Sequence, residues 1–269
     1  MMYYKNSKYI PTSQYIKNNQ KNQIFGEHDK ERFFQENEFI KNKKLISISP
    51  GGYKGVYLLG VCMYIRDNFD MDNYIFTGSS AGAWNALLMT YKKDAAQMKH
   101  DIVDYSLQNS KTLYEIEMTM KSRLLQQSST DDFDLRRLFV GVTTIHGYKA
   151  NTTIFSGFTH LEDSIDCCIA SSHIPLITGG FINKYDNKLS FDGGFSKYPY
   201  LNITQPVLHI TPSMWNKKTT PNPIANIQDY TTLFSRDKFD FIEMYENGYQ
   251  DAHNNRAYLK YVLDKEINE

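Results

Sequence analysis

Cysteine is scarce in this sequence and has no pattern. Cys62, Cys167 and Cys168 are odd in number and none are spaced as CxxC. That excludes a disulfide framework and a zinc-ligand set, and it favours a reducing compartment. Net charge is absent too, since 30 Lys and Arg balance 30 Asp and Glu. No basic run interleaved with aromatics is present to track a phosphate backbone, so nucleic acid is not an expected partner. Long apolar runs are also missing. The opening residues, MMYYKNSKYI, lack the apolar core of a secretory signal, and no stretch approaches the roughly 18 apolar residues that span a bilayer. The expectation is a cytoplasmic, intracellular protein.

The chain has 269 residues with 20 Tyr and 16 Phe, enough large side chains for one large core or at most two small ones. Residues 1–43 are polar and without sustained periodicity, which reads as a peripheral arm, ordered in part by Phe33, Phe34 and Phe39. From residue 44 onward short apolar runs alternate with longer helical stretches. This is the βαβ rhythm of a parallel sheet covered on both faces, so residues 44–269 read as a single α/β domain of α/β/α type with a mostly parallel central sheet. Strands are expected at 45–49, 74–78, 139–145, 152–157, 188–192 and 207–211. Helices are expected over GVYLLGVCMYIRD, AGAWNALLMTYK and LEDSIDCCIASS, with a closing helical pair from about 237 to 265.

Three glycine-rich turns follow strands. Gly78-Ser79-Ser80-Ala81-Gly82 is a GxSxG pattern between a strand and a helix. It is weak as a string, but that is the context of a nucleophile elbow, where a sharp turn exposes the serine oxygen and Gly78 and Gly82 let neighbouring backbone approach. Gly51-Gly52-Tyr53-Lys54-Gly55 joins a strand to an apolar helix. Its unpaired N–H groups suit an anion, but its spacing matches neither GxxxxGK[ST] nor GxGxxG. Asp192-Gly193-Gly194 ends the strand at 188–192. Alone it reads as a turn; beside Ser80 it would supply a carboxylate where open parallel sheets bind ligands.

Together, GGxKG (51–55), GSSAG (78–82) and DGG (192–194) resemble the patatin-like phospholipase family in order and spacing. ASSHIPLITGG (170–180) is similar to that family's Ala-Ser…Pro segment, and YENGYQDA (245–252) to its Gly-Tyr-x-Asp-Ala stretch. The resemblance covers 45 to about 255. It implies a patatin-type three-layer α/β/α fold and lipid acyl hydrolysis with neither metal nor other cofactor. It also implies a Ser–Asp dyad: Ser80 as nucleophile, Asp192 as base, and an oxyanion hole in the 51–55 loop from the N–H groups of Gly52, Tyr53 and Lys54. The substrate it implies is a phospholipid, lysophospholipid or acylglycerol. Lys197-Tyr198-Pro199 stands where members often carry Asn-x-Pro, a departure that bears on the acyl-pocket rim and substrate preference.

Serine needs a base to become a nucleophile. Asp192 could serve if an apolar pocket raised its pKa by desolvation. The competing scheme is a Ser…Asp…His triad, for which only His209 and His253 follow Asp192 in the chain. His209 lies in the apolar run PVLHIT and reads as a buried structural histidine; His253 lies in a polar helical stretch. His173 precedes Asp192 and could line the site or bond locally. Leu113, Ile116, Met120 and Leu124 recur at near-helical spacing, as a packed surface helix or as a lid touching lipid. Transient peripheral membrane contact through an aromatic rim is a further expectation. Acyl transfer to an alcohol, general carboxylesterase activity and a non-catalytic lipid-binding role remain open at this level.

Overall fold

The computed structural model describes residues 14–18, 38–94, 105–146, 149–195, 207–215 and 239–264. Phe33, Phe34 and residues 197–199 lie outside the described residues. A sheet in the order β1 (Gln14–Asn18), β5 (Lys149–Ser156), β4 (Leu138–His146), β3 (Tyr74–Gly78), β2 (Lys44–Ile48), β8 (Leu208–Ile210) organises the chain. Of these, β4, β3, β2 and β8, which ends the order, run parallel. All five β3 residues are buried, as an unbroken apolar run in a parallel sheet requires.

The flank departs from the expected parallel rhythm. β5 (Lys149–Ser156) pairs antiparallel with β4 from Val140↔Phe155 to His146↔Lys149. Two residues separate the strands, far too few for a parallel crossover. β1 (Gln14–Asn18), inside the stretch read as a polar arm, pairs antiparallel with β5. The strand expected at 188–192 is β7 (Lys188–Phe191), the second half of a hairpin whose first half, β6 (Asn183–Tyr185), was not foreseen. Its turn residues Asp186 and Asn187 have φ of 49° and 57°, the left-handed pair of a type I′ turn.

β7 is antiparallel to β4, with Phe191 opposite Thr143, whereas β3 ends parallel to β4 with Gly78 opposite Val140. The two strands therefore approach along the same edge of β4 from opposite directions, and their C-terminal ends meet there. This juxtaposition builds the site.

The helices are α1 (Gly55–Asn68), α2 (Ala81–Met89), α3 (Tyr105–Gln108), α4 (Leu113–Gln127), α5 (Leu161–Ser171), α6 (Phe241–Asn254) and α7 (Arg256–Leu263). Thr112 caps α4 by accepting from the Glu115 N–H at 3.1 Å, and Asp240 caps α6 by accepting from the Glu243 N–H at 2.9 Å. α1 and α6 cross almost backbone to backbone. A Cβ on Gly60 would lie 2.1 Å from the Tyr245 carbonyl, and one on Gly248 2.1 Å from the Tyr57 carbonyl. Tyr57 Oη donates to Asp251 Oδ2 at 2.7 Å across the same crossing. The YENGYQDA segment thus locks two helices together. No helix among the described residues is long and apolar enough to cross a membrane.

Candidate active site

Ser80 occupies the turn between β3 and α2 with φ 53° and ψ −132°, a conformation that costs an L-residue about 1–3 kcal/mol. Three sets of contacts hold it there. The Gly82 N–H donates to the Ser79 carbonyl and the Ala83 N–H to the Ser80 carbonyl, both at 2.9 Å, opening the helix. The Ser80 N–H donates to Ser171 Oγ at 2.8 Å, and Ser171 Oγ donates onward to the Gly141 carbonyl at 2.6 Å. The flanking glycines answer to space: a Cβ on Gly78 would sit 2.2 Å from the Gly82 carbonyl, and one on Gly82 2.3 Å from the Ile48 carbonyl. Both glycines of GxSxG let α2 begin directly against the ends of β2 and β3.

Asp192 follows β7 and arrives from the other direction. Its N–H donates to the His173 carbonyl at 2.7 Å, and its carbonyl accepts from Thr143 Oγ1 at 2.8 Å. The turn after it is pressed onto the elbow, since a Cβ on Gly193 would lie 2.2 Å from the Gly141 carbonyl and 2.4 Å from Ser79 Cβ. The Gly194 N–H donates to Asp192 Oδ1 at 2.7 Å. With the residue only 3% exposed, burial pushes the Asp192 carboxyl up to about 6; hydrogen bonds from the Ser80 side chain and the Gly194 N–H pull the other way. Ser80 and Asp192, 112 positions apart in sequence, thus line one cleft, with the Ser80 side chain near enough to draw the Asp192 pKa down.

The 51–55 loop forms a 3₁₀ turn over Gly52–Lys54 leading into α1, with Gly52 at φ 51°. Here the expected set of donors needs correction. The Lys54 N–H donates to the Gly51 carbonyl at 2.9 Å, and the Gly55 N–H to the carbonyls of Gly52 and Tyr53. Both are engaged by the turn itself, a tightness that spacing alone does not reveal. The N–H groups of Gly51 and Gly52 find no acceptor among the described residues. Gly52, Tyr53 and Gly55 line the cleft next to Ser80. The Tyr53 ring is buried against Phe239 and Phe241, with centroids 5.3 and 6.1 Å away, which anchors the loop. Asn85 ties loop to elbow: its Nδ2 donates to the carbonyls of Gly55 and Ala81, each at 3.0 Å.

Ser80 and Asp192 open onto a cleft of about 730 Å³, its mouth included. One wall is α4, through Leu113, Ile116, Glu117 and Met120. Ile116 and Leu124 are buried, so α4 is a packed wall of the cleft. Glu117 was not anticipated. It is 5% exposed, and burial raises its carboxyl well above the usual carboxylate range, with the charge of Asp192 adding to the effect. Hydrogen bonds with Ser172 and Trp84 oppose that rise.

No histidine among the described residues lines this cleft. His209 sits mid-strand in β8 opposite Ser47, and burial pushes its ring down to about 4. His253 lies on α6, edge-on to Tyr64 with centroids 5.7 Å apart. His173 is buried, and it meets Asp192 through its main-chain carbonyl; burial lowers its ring pKa.

Ser171, Asn85 and Glu117 are the residues that sequence reasoning missed. Ser171 falls inside ASSHIPLITGG, so that segment held a signal without a stated role. Cys62, Cys167 and Cys168 are free and buried. Compared with protein-family models and with curated proteins, the chain matches none.

Proposed function

We propose that the protein is a lipid acyl hydrolase of the patatin-like phospholipase type, built as a three-layer α/β/α fold. It would cleave a carboxylic ester of a phospholipid, lysophospholipid or acylglycerol. One observation carries this reading: a strained serine at an elbow and a buried aspartate, its pKa raised to about 6, share the head of a largely apolar cleft.

An ordinary aspartate is too weak a base to deprotonate serine near neutral pH. A carboxylate that titrates near 6 is still ionised at pH 7 and holds a proton better than a free one. In the proposed reaction Asp192 takes the Ser80 hydroxyl proton as Oγ attacks the ester carbonyl. The negative charge on the carbonyl oxygen is met by the Gly52 N–H and the positive end of α2, and one such backbone donor is worth about 3–4 kcal/mol. The tetrahedral intermediate collapses, Asp192 passes its proton to the leaving alcohol oxygen, and the acyl group stays on Ser80. Water then attacks the acyl-enzyme with Asp192 taking its proton, and the acid leaves as Ser80 regains a proton.

The rim of the cleft supports contact with a lipid surface. Ile174 and Thr178 line the cleft, and the loop they belong to carries Leu176, Phe181 and Ile182, each more than half exposed. Phe195, beyond the Asp192 turn, is exposed as well. Such an apolar rim fits transient docking on a membrane or micelle while the ester enters. Three free, buried cysteines fit a reducing, intracellular setting.

The test is an assay of phospholipids, lysophospholipids and acylglycerols with wild type, Ser80→Ala and Asp192→Asn. The reading expects hydrolysis by wild type and loss in both variants with folding intact. Activity that survives Ser80→Ala, or that disappears in a folded His209→Ala or His253→Ala, would overturn it.

A further inference from the structure

Glu117 breaks the pattern of its own helix. Leu113, Ile116, Glu117 and Met120 fall at i, i+3, i+4 and i+7, one face of α4, and all four line the cleft. An apolar side chain at position 117 would complete a greasy wall. In its place stands a carboxyl, buried at a cost only a compensating partner can offset.

A bonded pair of polar side chains shares the cleft with it. Trp84 Nε1 donates to Ser172 Oγ at 3.2 Å, and Ser172 Oγ donates to the Cys168 carbonyl at 2.9 Å. Glu117 lines the same cleft as this Trp84–Ser172 pair, which draws its pKa down against the effect of burial. Glu117 Oε2 has no hydrogen-bond partner among the described residues. Ser172 and Trp84 line the cleft beside it, so a polar station made from α4, α2 and the end of α5 is set into an otherwise apolar wall.

We propose that Glu117, set into the cleft wall with Trp84 and Ser172, is a specificity residue that selects an acyl chain carrying a hydroxyl or carbonyl oxygen along its length, which bonds to Oε2. The inference rests on the acyl-hydrolase reading for its substrate class, and on the station itself for the site. Burial favours the uncharged carboxyl, which presents an O–H donor and an acceptor and can bond to either oxygen group. A plain chain would cover Oε2 with methylenes and leave the buried carboxyl unpaired. A site built to bond a substrate oxygen rejects the analogue that lacks it much more strongly than an apolar pocket sorts chains by length.

The test uses p-nitrophenyl dodecanoate and a positional series of its hydroxy and oxo derivatives. Hydrolysis is measured with wild type, and binding by calorimetry with the Ser80→Ala variant, which leaves the ester uncleaved. The expectation is about a tenfold preference or more for one oxygenated position over the plain chain. That preference should vanish on adding Glu117→Leu to either background and persist on adding Glu117→Gln, whose amide keeps a donor and an acceptor. Glu117→Leu should also speed hydrolysis of the plain ester.

A wild type that ranks the plain chain first at every position overturns the inference, whether or not the variants fold. So does a folded Glu117→Leu variant with the ranking unchanged. The two readings fail separately. Selective binding by Ser80→Ala with no hydrolysis by wild type sinks the hydrolase and keeps the station. Hydrolysis without selectivity does the reverse.

Discussion

The cleft has two sides built on different principles. On the reacting side the positions are set by main chain. The Ser80 N–H, the Asp192 N–H and carbonyl and the turn of the 51–55 loop all have assigned partners, and Gly78, Gly82 and Gly193 are each within 2.4 Å of a clash if given a Cβ. On the α4 side the positions are set by side chains. Leu113, Ile116 and Met120 pack loosely specified apolar surface, and the polar exception, Glu117, keeps an unpaired oxygen. A backbone scaffold tolerates almost no substitution and holds atoms where chemistry needs them. A side-chain wall can be altered one residue at a time, which is where selectivity for a substrate can reside without disturbing the reaction.

Mutations should separate the two sides sharply. Ser80→Ala should reduce ester hydrolysis by roughly 10⁴-fold or more, measured as kcat/KM, with little change in Tm. Gly82→Ala should cost about 2–4 kcal/mol in urea denaturation, because the new Cβ meets the backbone carbonyls of Ile48 and Ser49 at 2.3 and 2.6 Å, atoms that cannot move aside. If Gly82→Ala folded with unchanged stability, the claim that backbone contact fixes the elbow would fail.

Asp192→Asn should act on stability in the opposite direction. The carboxyl titrates near 3.8 when unfolded and about 6 in the fold, so the folded state retains its proton where the unfolded state has released it. Stability therefore falls as pH rises from about 4 to 6 and is level above. The variant removes that loss and should gain about 1–3 kcal/mol at pH 7.5, shrinking toward zero below pH 4. Urea denaturation of both proteins at the two pH values checks the sign.

Ser171→Ala should cost about 1–2 kcal/mol by leaving the buried Ser80 N–H and Gly141 carbonyl without their shared partner. It should lower kcat more than it raises KM. Met120→Ala, on the other wall, should be mildest. It should shift the preferred acyl-chain length with a few-fold change in kcat/KM, roughly what one or two methylenes are worth in an apolar pocket. A Met120→Ala loss as deep as that of Ser171→Ala would erase the distinction between the two sides.

The same division explains what was legible in the sequence. The reacting side is written in glycines, and glycines at strand ends are readable because only they permit such close approach. GSSAG and DGG therefore marked two loops that the structure brings into contact. The 51–55 loop was visible for the same reason, but the turn that engages the Lys54 and Gly55 N–H groups was not, since it depends on how tightly the chain coils there. β7 was read as a strand, yet its antiparallel direction was missed because the type I′ signal in Asp186-Asn187 went unread. Glu117 was invisible for a different reason. The spacing of Leu113, Ile116, Met120 and Leu124 was plain, and a glutamate between them reads as solvent face. It is buried at a cleft it shares with Trp84 and Ser172, which belong to distant parts of the chain.

The most direct measurement is labelling with a fluorophosphonate probe across pH 4–9, read by intact mass and peptide mapping. The account predicts a single adduct on Ser80 in wild type, formed at a rate that rises with pH around a midpoint near 6. It predicts almost no adduct in Asp192→Asn and an undiminished rate in His209→Ala and His253→Ala. An unlabelled wild type, an adduct elsewhere, or labelling that survives Asp192→Asn but is lost with either histidine would contradict it.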